Sequence, residues 1–241
     1  MNHFALLALI VLNSASVFAA ETATSQSPFE AAIAVSTRPA DDVKSDETRH
    51  PKELLEFSQA KVGHTVVDVF PGQGYFVRLF ASVVGPKGKV IAYVPKEGAG
   101  FSFKPVESAK SAVAGLKNAQ VKITPLMTAP VKSADVIWLS AIYHDLHNPG
   151  FIKADIAAYN KLMFKMLKPG GYLIVIDHVG NAGISQEDAV RLHRIDAKIV
   201  RSELEAAGFV FEAESKALSR PENHSLNVFD ASIRGKTDQF A

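Results

Sequence analysis

The chain has 241 residues, of which 47% are hydrophobic, so it can bury one sizeable core and a single domain is the simplest expectation. Its 26 basic and 25 acidic residues give a net charge of +1, which argues against a nucleic acid or an anionic membrane as partner and favours a small molecule or a protein. There is no cysteine, which excludes disulfides, thiolate catalysis and cysteine-ligated zinc.

The N-terminal stretch predicts export. Residues 1–12 are largely apolar, no charged residue precedes Glu21, and the small residues up to Ala19 fit a cleavage site. The apolar core is too short to span a bilayer, so we expect a cleaved signal peptide over residues 1–19 and no stable membrane insertion. The mature protein is then periplasmic or secreted, with a buried N-terminal helix as the alternative reading. Residues 20–50, which include a charged stretch without apolar periodicity, form an N-terminal arm before one α/β domain over residues 51–241.

Strands and helices alternate through that domain. β-Branched or buried runs predict strands over residues 65–69, 89–94, 121–124, 134–140, 172–176 and 209–212. Helical spacing of apolar residues predicts helices over residues 51–58, 75–84, 106–116, 152–167 and 185–207. Such alternation predicts parallel strands joined by right-handed crossovers, which is a doubly wound α/β sheet that binds ligands beyond the carboxyl ends of its strands.

A glycine turn follows the first strand in Asp68-Val-Phe-Pro-Gly-Gln-Gly74. Gly72 and Gly74 have no Cβ, so the backbone can turn tightly and approach a ligand, with the N–H groups of the next helix pointing into the same space. A dinucleotide site would need a third glycine at position 77, where this chain has Val77. The turn therefore argues against a nicotinamide cofactor.

Three segments together resemble a known family. Asp68 to Gly74, Ala134-Asp-Val-Ile-Trp-Leu139 and Leu167-Lys-Pro-Gly-Gly-Tyr-Leu173 are similar to motif I, the fourth strand and the turn before the fifth strand of class I S-adenosylmethionine-dependent methyltransferases. The resemblance implies a mostly parallel, seven-stranded Rossmann-like sheet with helices on both faces. It also implies S-adenosyl-L-methionine as cofactor and a small-molecule or protein group as methyl acceptor. With the export signal, the chain looks like a periplasmic branch of predicted methyltransferases.

The resemblance implies cofactor-binding roles for six residues, which are Asp68, Phe70, Gly72, Gly74, Tyr75 and Glu97. Asp68 would orient the turn or contact the methionine amino group. Phe70 stands where motif I usually has glycine, and its bulk would narrow the floor of the pocket. Val94 and Pro95 replace the acid that the family usually has at the end of the second strand. Glu97 either substitutes for that acid or is a solvated loop carboxylate.

The densest polar cluster is Ile142-Tyr-His-Asp-Leu-His-Asn148, after the strand that ends at Ser140. The family's equivalent loop contacts the substrate or the sulfonium, which implies catalytic roles for Tyr143, His144 and Asp145, with His144 as general base. Since methyl transfer depends mostly on positioning, a base is optional. The alternative is that these residues cap the next helix and bind water.

Two further hypotheses stay open beside methyl transfer. One is a non-catalytic exported protein that uses the same cleft for another metabolite, because one fold serves many functions. The other is a metal-binding protein built on His144, His147, His178 and Asp145, although no specific ligand motif supports it and no metal is assigned. His193 lies on the predicted helix over residues 185–207, where we expect a solvated face or the edge of the cleft.

Overall fold

The computed structural model describes residues 27–241, so the predicted signal peptide lies outside the described residues. The described helices are α1 (Pro28–Ile33), α2 (Ala40–Arg49), α3 (Pro51–Phe57), α4 (Tyr75–Val84), α5 (Pro105–Val113), α6 (Tyr143–Leu146), α7 (Ile156–Met166), α8 (Gln186–Leu192) and α9 (Ala197–Ala207). The described strands are β1 (Thr65–Val69), β2 (Lys89–Pro95), β3 (Ala119–Thr124), β4 (Ala134–Ser140), β5 (Leu167–His178) and β6 (Gln239–Phe240). In this part of the chain, none of the helices combines the length and the apolar character needed to cross a membrane.

The strands of residues 27–241 form one sheet in the order β3-β2-β1-β4-β5-β6. Strands β1 to β5 are parallel, and β6 is antiparallel to β5. The predicted doubly wound, mostly parallel α/β fold is therefore confirmed. The sheet described here has six strands rather than the expected seven.

The predicted strand over residues 209–212 is wrong. Gly208 ends α9 with a left-handed φ of 108°, and the chain then runs without a strand partner. Val210 is 89% exposed, and the Phe211 ring lies 4.0 Å from the Arg201 guanidinium instead of entering the sheet. Only the two residues of β6 cover the edge of β5 in this region of the structure.

The core consists of two apolar layers, one on each face of the sheet. Alternate residues of a strand point to opposite faces, so in β4 Trp138 packs on one face while Ile137 and Leu139 pack on the other. Trp138 is fully buried, with its ring 4.6 Å from Phe76 and 5.1 Å from Phe80 of α4. This burial on both faces is typical of a parallel sheet covered by helices.

The single helix predicted over residues 185–207 is in fact two helices, α8 and α9. His193 ends α8 in a left-handed conformation with φ of 53°, and Asp196 begins α9 by accepting a hydrogen bond from the Lys198 N–H. Between the helices Arg194 is fully buried and donates to the Leu226 and Val179 carbonyls. The chain turns inward to bury this arginine, so the helix has to break here.

The charged arm also differs from the expectation. Residues 38–50, which lack apolar periodicity, contain the ten-residue helix α2. Arg78 of α4 holds α2 by donating to both carboxylate oxygens of Asp42, at 2.7 and 2.9 Å. A second ion pair joins Arg38 to Asp46, and Asp46 also accepts a 2.6 Å hydrogen bond from the Tyr75 hydroxyl. Contacts with the domain, rather than an apolar stripe, fix this helix.

Candidate functional site

A cleft of about 570 Å³ lies at the carboxyl ends of β1 and β4. Ligands of doubly wound sheets bind at this edge, where the strand order reverses. Its walls come mainly from α2, the turn after β1, the ends of β4 and β5, and the C-terminal segment from Leu218 onward. The polar residues used below from its lining are Arg49, Asp68, Ser140, His178, Arg220 and Arg234.

The two glycines of the turn after β1 have different roles in the structure. At Gly74, with φ of 83°, an added Cβ would lie 2.1 Å from the Ala112 Cβ, so this glycine permits the close packing of α4 against α5. At Gly72, with φ of 54°, an added Cβ would meet nothing within 4 Å. Gly72 lines the cleft, so its backbone is open to a ligand there.

Asp68 provides a buried acid in the same cleft. It ends up only 3% exposed, next to the turn that Gly72 forms. Burial raises the pKa of its carboxyl group to about 8, against the attraction of the Arg49 guanidinium. A cationic amine in the cleft would lower this pKa and form an ion pair with the carboxylate.

Phe70 and Glu97, two of the residues to which the resemblance assigns cofactor binding, make contacts with other protein groups. Phe70 has a left-handed φ of 52°, and its ring lies so close to Gly98 that a Cβ there would be 2.6 Å from the Phe70 Cζ. The same ring is 5.5 Å from Phe151. Glu97 is exposed and accepts a 2.9 Å hydrogen bond from the Leu126 N–H. The described residues thus fit the methionine end of S-adenosylmethionine better than its ribose end.

Tyr75 and Tyr143 are both structural in this arrangement. Tyr75 lines the cleft, but its hydroxyl is bonded to Asp46. Tyr143 is fully buried, donates a 2.8 Å hydrogen bond to Glu203 and accepts one of 2.7 Å from Asn160. Burial, reinforced by the Glu203 charge, raises the pKa of the Tyr143 hydroxyl.

His144 and Asp145 are brought together behind the cleft wall. His144 is 5% exposed, its Nδ1 lies 2.7 Å from Asp177 Oδ1, and its backbone N–H donates to Asp177 Oδ2 at 2.8 Å. Burial opposes protonation of His144, but the Asp177 carboxylate prevails and raises its pKa. Neither His144 nor Asp145 is among the described residues that line the cleft, whereas Ser140, Ala141 and His178 are.

The sequence did not single out three basic residues of the cleft, and it placed His193 only on a solvated face or at the edge of the cleft. Arg49, Arg220 and Arg234 line the cleft, and Arg220 connects two of its walls by donating to the Thr48 and Thr237 carbonyls at 2.6 and 3.1 Å. His193 lies beside His144, with 3.3 Å between ring nitrogens. The charged stretch before Pro51 was the available signal for Arg49, but the C-terminal residues carry no pattern of their own.

Comparisons with known proteins bear on the fold. No protein-family model matches the chain, and no curated protein matches its sequence. An S-adenosylmethionine-dependent methyltransferase from Aquifex aeolicus is 25% identical over 74% of this chain and 92% of its own, with a TM-score of 0.55.

Two further solved structures are more distant in sequence. One is a complex between the Haloferax volcanii Trm112 methyltransferase activator and a methyltransferase. It is 17% identical, the match covers 83% of this chain and 90% of the matched chain, and the TM-score is 0.56. The other is the arsenic(III) S-adenosylmethionine methyltransferase from Chlamydomonas reinhardtii. It is 15% identical, the match covers 89% of this chain and 71% of its own, and the TM-score is 0.54. The chain therefore has the Rossmann-like fold of class I methyltransferases.

Proposed function

We propose that the protein transfers methyl groups from S-adenosylmethionine, and that the cleft at the ends of β1 and β4 holds the methionine end of this cofactor. The main observation behind the proposal is that the buried Asp68 lies beside the open Gly72 backbone in a cleft of about 570 Å³. The likeness to methyltransferase structures supports the same reaction class.

Five of the lining residues have a role in this proposal. Asp68 pairs with the cationic amine of the methionine group, and Arg49 or Arg220 faces its carboxylate. S-adenosylmethionine supplies a methyl group on a sulfonium, and the protein aligns the acceptor with it. Because Ser140 and His178 line the cleft, whereas His144 does not, they are the better candidates to contact the acceptor. The acceptor is a small-molecule or protein group, and export of the enzyme is proposed from residues 1–19 alone.

The test is isothermal titration of the purified protein with S-adenosylmethionine and S-adenosylhomocysteine. The matched pair of variants is Gly72→Ala and Gly170→Ala, because both glycines have positive φ and space for a Cβ, yet only Gly72 lines the cleft. We expect micromolar binding to the wild type, a loss of roughly tenfold or more for Gly72→Ala, and wild-type affinity for Gly170→Ala. Equal losses in both variants would contradict the proposed location.

A second candidate function follows from Phe70. Its ring occupies the space beside Gly98, which favours a cleft adapted to a smaller metabolite. Phe70→Gly opens that space and also relieves the left-handed strain, so under the methyltransferase proposal it binds the cofactor at least as tightly as the wild type. Binding by Phe70→Gly alone, or by neither folded protein, would overturn the methyltransferase proposal and support the smaller ligand.

A further inference from the structure

Three side chains behind the cleft wall each place one possible ligand atom within 3.4 Å of the other two. His144 Nε2 and His193 Nδ1 are 3.3 Å apart, and Asp145 Oδ1 lies 3.4 Å from each of them. The three atoms form a nearly equilateral triangle. His144 and Asp145 come from α6, whereas His193 comes from the end of α8, so the fold brings them together over about fifty residues of sequence.

The size of the triangle matches a metal site. Tetrahedral ligands at about 2.0–2.1 Å from Zn²⁺ lie about 3.3–3.4 Å from one another. Octahedral ligands at the same bond length would be about 3.0 Å apart, which the observed spacing exceeds. Two imidazoles and one carboxylate are a suitable set of ligands for Zn²⁺, and three protein ligands leave its fourth position open.

Asp177 supports the first of these ligands. It is fully buried and accepts from the His144 ring at Nδ1, at 2.7 Å, which leaves the Nε2 lone pair facing Asp145 and His193. The carboxylate is itself fixed by the backbone N–H groups of His144 and His178, each at 2.8 Å. Histidines that bind metals commonly have such a carboxylate on the other ring nitrogen, because it sets the tautomer and the ring orientation.

His193 connects the cluster to solvent. Its side chain is 28% exposed, whereas that of His144 is 4% exposed, so an ion can enter from the His193 side. The His193 ring packs at 5.0 Å against Phe229, which also lines the cleft. The cluster therefore lies next to the cleft wall.

We propose that His144 Nε2, His193 Nδ1 and Asp145 Oδ1 form a binding site for one divalent transition-metal ion of the Zn²⁺ type, with Asp177 orienting His144. This site includes His193 and excludes His147 and His178. His147 is 3.2 Å from Glu203, and His178 contacts Thr237 and Gln239 at 2.9 and 3.1 Å. The proposal is independent of the methyltransferase proposal.

The experiment is a titration of the chelator-stripped, dialysed protein with Zn²⁺ against a chromophoric chelator, repeated with Co²⁺ to record the visible absorption of a tetrahedral site. The test variant is His193→Asn, since asparagine tolerates the left-handed backbone of this position. The matched control is His224→Asn, because His224 is similarly exposed, at 24%, and also pairs with a carboxylate, Asp238.

We expect one equivalent of Zn²⁺ in the wild type, about 100-fold weaker binding in His193→Asn, about 10- to 100-fold weaker binding in Asp177→Asn, and no change in His224→Asn. Circular dichroism checks the fold of each variant, and Asp145→Asn replaces His193→Asn if the latter is unfolded. Binding of less than half an equivalent of Zn²⁺ by the wild type, or equal Zn²⁺ affinity in the wild type and the test variant, would overturn the proposal. A proton shared between the two imidazoles is then the explanation of their 3.3 Å separation.

Discussion

At the scale of single residues, Phe70 shows what a motif can and cannot predict. Phe70 stands where motif I usually has glycine, and in the structure its backbone is left-handed, with φ of 52°. A non-glycine residue in this region costs on the order of 1 kcal/mol, so other contacts must hold it there. The direction of the ring could not be predicted, because it depends on Gly98 and Phe151, which are distant in sequence.

Asp68 leads to a prediction at the same scale. Its pKa is raised from an ordinary value of 3.8 to about 8, so the folded protein binds more protons than the unfolded chain between these pH values. Stability contributed by this group is therefore lost as pH rises from about 4 to about 8. Asp68→Asn should remove this pH dependence. Its free energy of unfolding in urea, relative to that of the wild type, should therefore rise by more than about 1 kcal/mol from pH 5 to pH 8.

Asp135→Asn is the control with the opposite sign. Burial favours the neutral form of Asp135, but the Lys168 ammonium and the Thr65 N–H outweigh it and lower its pKa. The ionised Asp135 stabilises the folded protein above the ordinary pKa of an aspartate, and this stabilisation is lost as pH falls. Asp135→Asn should therefore be destabilised most, relative to the wild type, at neutral pH. A profile of Asp68→Asn that runs parallel to the wild-type profile would refute the role given to Asp68.

At the scale of elements, α2 is the helix that the sequence pattern did not predict. Periodicity detects a helix through its apolar stripe, and the residues of α2 are mostly charged. The helix is instead held by Asp42 and Asp46. Their partners Arg78 and Tyr75 lie in α4, and Arg38 lies just before the helix. Most of the alternating strands and helices from Thr65 to Ser140 bury a regular apolar pattern, which made the alternation predictable.

This origin of α2 can be tested by removing one carboxylate. Asp42→Ala leaves the Arg78 guanidinium without its bidentate partner in a largely buried position, so we expect a loss of about 2 kcal/mol or more in urea unfolding. Asp41→Ala removes an exposed acid from the same first turn and controls for the helix dipole. It should cost less than about 0.5 kcal/mol. If the two variants lose equal stability, the Asp42 pair is not what anchors the arm.

At the scale of the whole molecule, the two ends of the described chain meet over the cleft. Arg220, from the C-terminal segment, donates to the Thr48 carbonyl of α2 across 172 positions of sequence. The doubly wound, mostly parallel sheet followed from the alternation of elements, but this closure did not, because hydrogen bonds to backbone carbonyls leave no mark on the sequence. The cleft was therefore predictable in position, at the ends of β1 and β4, and unpredictable in its outer walls.

Arg220→Met should loosen both walls together. Without the guanidinium, the Thr48 and Thr237 carbonyls lose their donors, and amide hydrogen exchange in α2 and around Leu218 should become about tenfold faster. Arg201→Met is the control, since Arg201 is exposed, pairs with Glu205 on its own helix and lies over the Phe211 ring rather than in the cleft. Unchanged exchange in α2, or faster exchange throughout the sheet, would show that Arg220 does not tie these two segments.

The burial of Trp138 has a spectroscopic consequence. It is the only tryptophan of the chain, so all indole emission comes from one position in the middle of β4. The ring is fully buried between Phe76 and Phe80, and its Nε1 has no hydrogen-bond partner among residues 27–241. The folded protein should therefore emit at short wavelength and shift to the red only when the sheet itself opens. A variant that releases just the arm would lose helical ellipticity while keeping its native fluorescence.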